Sequence, residues 1–74
     1  MKIMKTHYYI EPSCGSIPES LRHWYGIDYS LDEVACIARG IVIGLHGAGR
    51  KSARVDIYEI DDSTGERTLV RSIY

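Results

Sequence analysis

The sequence predicts an α+β fold: a three-stranded, mainly antiparallel sheet with one long helix packed on one face, in the order βαββ. Three observations carry this. A capping device at residues 29–34 opens an apolar stripe of helical period. Two strand-like runs, 55–60 and 67–74, flank a turn built on Thr64-Gly65-Glu66. A chain of 74 residues has room for a single small core, so residues 1–74 are expected to form one domain.

The elements follow in chain order. Residues 5–10 read as a strand, because Tyr8, Tyr9 and Ile10 favour extended backbone. Pro12 and Gly15 then break it. Ser16-Ile17-Pro18-Glu19 reads as a helix start, with Ser16 as cap and Glu19 reaching back to it. A short helix would run from there to about Tyr25 and stop at Gly26; an extended segment through Trp24-Tyr25 is the competing reading.

The long helix has the strongest local signal. Ser30 caps it, Glu33 completes the capping box, and Tyr29 and Val34 stand at the two ends of a hydrophobic staple. Asp32 and Glu33 suit the positive end of the helix dipole. Leu31, Val34, Ala35, Ala38, Ile41, Val42 and Leu45 then form one stripe. Ile37 and Ile43 lie off that stripe, so cover on more than one side is expected. Gly40 and Gly44, four apart, suggest close approach of another backbone, or else a helix that breaks near Gly40 and leaves Ile41-Val42-Ile43 extended. Gly47 and Gly49 end the helix. The last two strands must be antiparallel. A right-handed crossover through the helix would set the first strand parallel to the second if they are neighbours.

Composition narrows the function classes. The net charge of −1 gives no general drive toward nucleic acid or an anionic membrane. No apolar run approaches the roughly 20 residues of a membrane span. The N-terminal residues 1–7 lack the apolar stretch of a signal peptide, so a cytoplasmic protein is expected. In that reducing setting Cys14 and Cys36 are expected as free thiols, against a bridge pinning the loop to the helix.

The string from Gly40 to Ser52 has the flavour of a phosphate-binding loop. That motif needs Lys directly after the last Gly, a strand before and a helix after. Here Arg50 intervenes and the order of elements is reversed, so the string reads as a helix end with cations near the negative dipole pole. His7, Cys14, His23, Cys36 and His46 lack the spacing of a metal site, and His7 and His23 read as exposed polar residues. The hairpin acids lack the ligand spacing of a calcium loop. No catalytic, cofactor-binding or metal-ligating residue is assigned, no cofactor is expected, and an enzyme is the least favoured class.

The informative feature is charge separation. Residues 55–66 carry five acids and no base, whereas 34–54 carry four bases and no acid. One reading is a solvated turn with compensating surface charge. The functional reading is an acidic knob of Glu59, Asp61, Asp62 and Glu66 beside Tyr58, and a basic patch of Arg50, Lys51 and Arg54. Trp24 and Tyr25, near Tyr29 and His23, serve either as core closure or as interface anchors.

The order Tyr8-Tyr9-Ile10, then Ser30-Leu31-Asp32-Glu33-Val34-Ala35, then Val55-Asp56-Ile57-Tyr58 with Thr64-Gly65-Glu66 resembles small βαββ proteins of bacteria and their phages, anti-CRISPR proteins among them. The resemblance spans most of the chain and implies a compact, cofactor-free protein that blocks a larger bacterial defence complex by surface contact. The expectation is therefore a protein-binding inhibitor with no membrane role. A small nucleic-acid binder using Arg50, Lys51 and Arg54, or an accessory or homodimeric subunit, is the alternative.

Overall fold

The computed structural model describes residues 6–74. The segment on which the leader expectation mostly rests, residues 1–5, lies outside the described residues, as does Lys5 of the expected first strand. The elements are β1 (His7–Pro12), a single 3-10 turn (Glu19–Leu21), β2 (His23–Tyr25), α1 (Leu31–Gly47), β3 (Val55–Ile60) and β4 (Arg67–Ile73). They form one antiparallel sheet of four strands in the order β2-β1-β3-β4, with α1 on one face. No helix among the described residues is long and apolar enough to cross a membrane.

Three expectations are corrected here. The sheet has four strands, because His23-Trp24-Tyr25 is extended and pairs with β1, Tyr8 opposite Trp24. The short helix shrinks to one 3-10 turn capped by Pro18 with no side-chain bond, so Ser16 is not a cap. The extra strand also explains the third correction: β1 runs antiparallel to β3, with Ile10 opposite Ile57. The helix crossover joins β2 to β3, which point the same way, and β1 lies between them. The parallel relation expected of a crossover is kept, but between strands that are not neighbours.

At the open end of the β1–β2 pair, just past Tyr25, the Gly26 N–H donates to the Thr6 carbonyl at 2.6 Å. A Cβ at Gly26 would lie 3.0 Å from Thr6 Cβ and 3.1 Å from its carbonyl oxygen, so glycine serves close backbone approach.

The helix starts as its sequence dictates. Ser30 Oγ accepts from the Glu33 N–H at 3.2 Å and the Glu33 carboxylate accepts from the Ser30 N–H at 2.9 Å. Val34, Ala38 and Val42 are buried against Ile10, Val55, Ile57 and Ile73, with Leu31, Ala35 and Ile41 packed alongside. The helix is continuous through Ile41-Val42-Ile43. The expected cover beyond the stripe fails at Ile43, which is 64% exposed, whereas Ile37 is half-buried. A Cβ added at Gly40 or Gly44 meets nothing within 4 Å, so neither glycine serves a backbone contact.

At the β3–β4 hairpin, Gly65 has φ 76°, the left-handed geometry expected of this turn. A β-bulge follows. Ile57 pairs with Arg71 and Tyr58 with Leu69, leaving Val70 as the extra residue on β4. Val70 packs on the core and Arg71 reaches Asp32 at the start of α1 at 3.3 Å, while Leu69 joins the opposite face beside Tyr58. Cys14 and Cys36 are free, Cys36 being exposed on the helix.

Candidate functional site

Strand alternation decides what the uncovered face of the sheet carries. Tyr8, Ile10 and Trp24 belong with the helix-side core, so their neighbours His7, Tyr9, His23 and Tyr25 point to the other side. Register adds Tyr58 and Ile60 from β3, and Arg67 and Leu69 from β4. This face is paved with aromatic and histidine rings. His7 stacks on Tyr25 with centroids 4.6 Å apart and 20° between planes. The Arg67 guanidinium lies 4.6 Å over the Tyr9 ring, and Arg22 donates to the Tyr9 hydroxyl at 3.0 Å. Tyr9 is thereby buried although no helix covers it.

A hydrogen-bonded chain of four ionisable side chains runs across the end of this face. Asp62 Oδ1 lies 3.0 Å from His7 Nδ1. His7 Nε2 lies 2.8 Å from His23 Nδ1. His23 Nε2 lies 3.2 Å from Glu19 Oε1. The chain links the hairpin tip, the central strand, the edge strand and the 3-10 turn. His7 is only 9% exposed, which corrects its reading as a surface residue. No buried side-chain nitrogen or oxygen among the described residues lacks a partner. No group of three or more His, Cys, Asp or Glu among the described residues is placed to hold a metal ion.

The residues singled out by sequence are divided by this geometry. Trp24 faces the helix side, where it meets Tyr29 edge to face at 4.9 Å and donates to the Leu21 carbonyl at 2.7 Å. Tyr25, its neighbour, is 49% exposed on the other side. Tyr58 shares the open face with Tyr25, whereas Glu59 is opposite Tyr8 on the helix side. Asp61 is a turn former: the Ser63 hydroxyl donates to it at 2.6 Å and the Ser63 N–H at 2.9 Å. Those two bonds, the hydroxyl first, hold the Asp61 carboxyl below the ordinary carboxylate range. Asp62 belongs to the histidine chain, and Glu66 is exposed at the tip.

Arg50, Lys51 and Arg54 cluster at the opposite end of the sheet, since Val55 pairs with Pro12 there while Ile60 pairs with His7 at the acidic end. Six strand residues separate the ends by roughly 17 Å. All three are exposed, and Arg54 is tied to Asp56 at 3.2 Å.

Sequence reasoning missed His7, Tyr9, Arg22, His23 and Arg67 as one cluster. The usable signal was parity: His7 and Tyr9 alternate with Tyr8 and Ile10, so both faces of that strand are loaded with large side chains. Comparison with known proteins finds no matching family model, no matching curated protein and no matching solved structure, so the functional argument rests on the geometry of this chain.

Proposed function

We propose that this chain is a non-catalytic binding protein that docks its open sheet face, with the adjoining acidic hairpin, onto a larger bacterial complex, as an inhibitor of the anti-CRISPR type. The observation that carries this reading is the uncovered face itself. Tyr25 and Leu69 stand 49% and 54% exposed at its two borders, with Arg67 beside Leu69. Tyrosine and arginine are the residues from which interface hot spots are commonly built. A one-sided sheet is free to offer such a surface. The ring nitrogens that an acid–base site would aim at a substrate are spent on each other and on carboxylates.

The nucleic-acid alternative draws on the same tyrosines. Base stacking needs open ring faces. Tyr9 has one face under Arg67, which favours the protein-binding reading.

The test is phage plating on a bacterium with an active CRISPR system that expresses this chain. Restored plating is expected, and its loss in Tyr25→Ala and Leu69→Asp variants that keep the wild-type melting temperature. Unchanged interference across system types would overturn the inhibitor reading. Binding to a single-stranded oligonucleotide that weakens steeply with salt would favour the alternative.

A further inference from the structure

We propose that Asp62, His7, His23 and Glu19 form a proton-gated latch, in which one proton shared between the two histidines ties β2 and the hairpin tip to the central strand. The inference does not depend on which partner the open face binds. It rests on a count of protons. The chain contains three links, at 3.0, 2.8 and 3.2 Å. Ionised carboxylates only accept, so His7 must donate from Nδ1 to Asp62 and His23 from Nε2 to Glu19. The link between the rings needs one further proton, on either His7 Nε2 or His23 Nδ1. Three protons on four ring nitrogens make one imidazolium held by two rings.

That state is favoured from both sides of its range. Raising the pH removes one proton, and one of the three links is left without a donor. Lowering the pH adds a fourth, and two N–H groups then face each other across 2.8 Å, so the central link opens. The groups facing the rings are named from each neighbouring element. Asp62 comes from the hairpin tip, Tyr25 stacks from β2, and Glu19 comes from the 3-10 turn. Tyr9 lies 5.1 Å from the His23 ring. Arg22 lies 3.6 Å from Glu19, and Arg67 sits over Tyr9.

The mechanical consequence falls on β2. This edge strand has three residues, and opening the His7–His23 link removes the side-chain tie across its pairing with β1. The free ends would be Glu19 and the hairpin tip, which border the open face. The latch thus couples the shape of that face to proton concentration.

The experiment is NMR on the intact protein across pH 4 to 9. A strongly downfield N–H proton correlated to both ring nitrogens is expected near the middle of the range. Amide exchange protection at Ile10 and Gly26, which bond to Arg22 and Thr6, is expected to follow a bell, falling roughly ten-fold or more on each side. In His23→Gln the bell should flatten while the α1 amides keep their protection. Glu19→Gln and Asp62→Asn each should narrow it, and their effects should be non-additive although the two carboxylates do not touch. A second readout covers any variant that fails to fold: the ring nitrogen shifts of the wild type alone. Two imidazoles titrating independently, or a bell that persists in His23→Gln, would overturn the proposal. So would one-to-one Zn2+ binding at micromolar concentration that abolishes the shared-proton signal, because the pair would then be a metal site.

Discussion

Replacing Ile57 with alanine tests the core and the one-sidedness of the helix together. Ile57 is fully buried, lies opposite Ile10 across the β1–β3 ladder, and faces the helix stripe of Val34, Ala38 and Val42. The substitution removes three carbons whose space no flexible loop can fill, and such changes cost about 2–5 kcal/mol. We take about 3 kcal/mol, because the site is central in the sheet and has little room to collapse. A chain of 74 residues has a total stability of roughly 4–11 kcal/mol at typical per-residue values. The loss should lower the melting temperature by roughly 12–24 °C, at about 4–8 °C per kcal/mol for a domain of this size. Ile43→Ala is the matched control. It deletes the same three carbons from the helix that covers Ile57, but at a side chain 64% exposed. Its effect should lie within about 0.5 kcal/mol of zero, the gain in helix propensity offsetting the small burial lost. Thermal unfolding followed by circular dichroism measures both. A loss of more than about 2 kcal/mol in Ile43→Ala would refute the reasoning, because the outer face of α1 would then be buried in the folded protein.

Further outcomes follow from the same structure. Gly40→Ala should raise stability by about 0.5–1 kcal/mol, since the added methyl meets nothing and the helix gains propensity; chemical denaturation reads this. Ser30→Ala should cost about 1 kcal/mol by removing the Oγ that accepts from the Glu33 N–H, while the residue-30 N–H still donates to the Glu33 carboxylate, and the Glu33 amide should lose protection first in hydrogen exchange. Because the folded-state pKa of Asp61 is depressed, its contribution is present at neutral pH and disappears as pH falls through the folded value. Asp61→Asn should therefore reduce the acid sensitivity of the hairpin, measured as the pH dependence of the Gly65 amide, which bonds to the Asp61 carbonyl at 2.6 Å.

What was legible in the sequence was local. The Ser30–Glu33 box and the Val34, Ala38, Val42 stripe are set by neighbours within one or two helical turns, and they stand as read. Gly65 is likewise a local demand of the turn. β2 was obscured because three residues give no alternation to count, and its extended state is imposed by pairing with β1. Ranking the extended reading of Trp24-Tyr25 second to a short helix then misplaced the direction of β1, since strand direction depends on how many reversals precede it. The histidine chain was the least legible feature. His7 and Asp62 are 55 residues apart, and only the register of β1 against β3 brings the hairpin tip to the start of β1.

The acidic run illustrates how a charge pattern divides once it folds. Read along the chain, Glu59, Asp61, Asp62 and Glu66 form one knob with one purpose. In the fold Asp61 closes the turn through Ser63, and Asp62 anchors the chain of histidines. Glu59 and Glu66 remain as exposed carboxylates. Asp61 and Asp62 are exposed as well, so a partner that reads negative charge at the hairpin meets Asp61, Asp62 and Glu66, with Glu59 turned to the helix side. On the proposed reading, charge reversal at Glu66 should weaken inhibition while leaving melting unchanged, reversal at Glu59 on the helix side should weaken it less, and reversal at Asp61 or Asp62 should lower stability first. If all four positions behaved alike, weakening inhibition without loss of stability, the hairpin would be a surface feature alone and its hydrogen bonds to Ser63 and His7 would carry no weight in the fold.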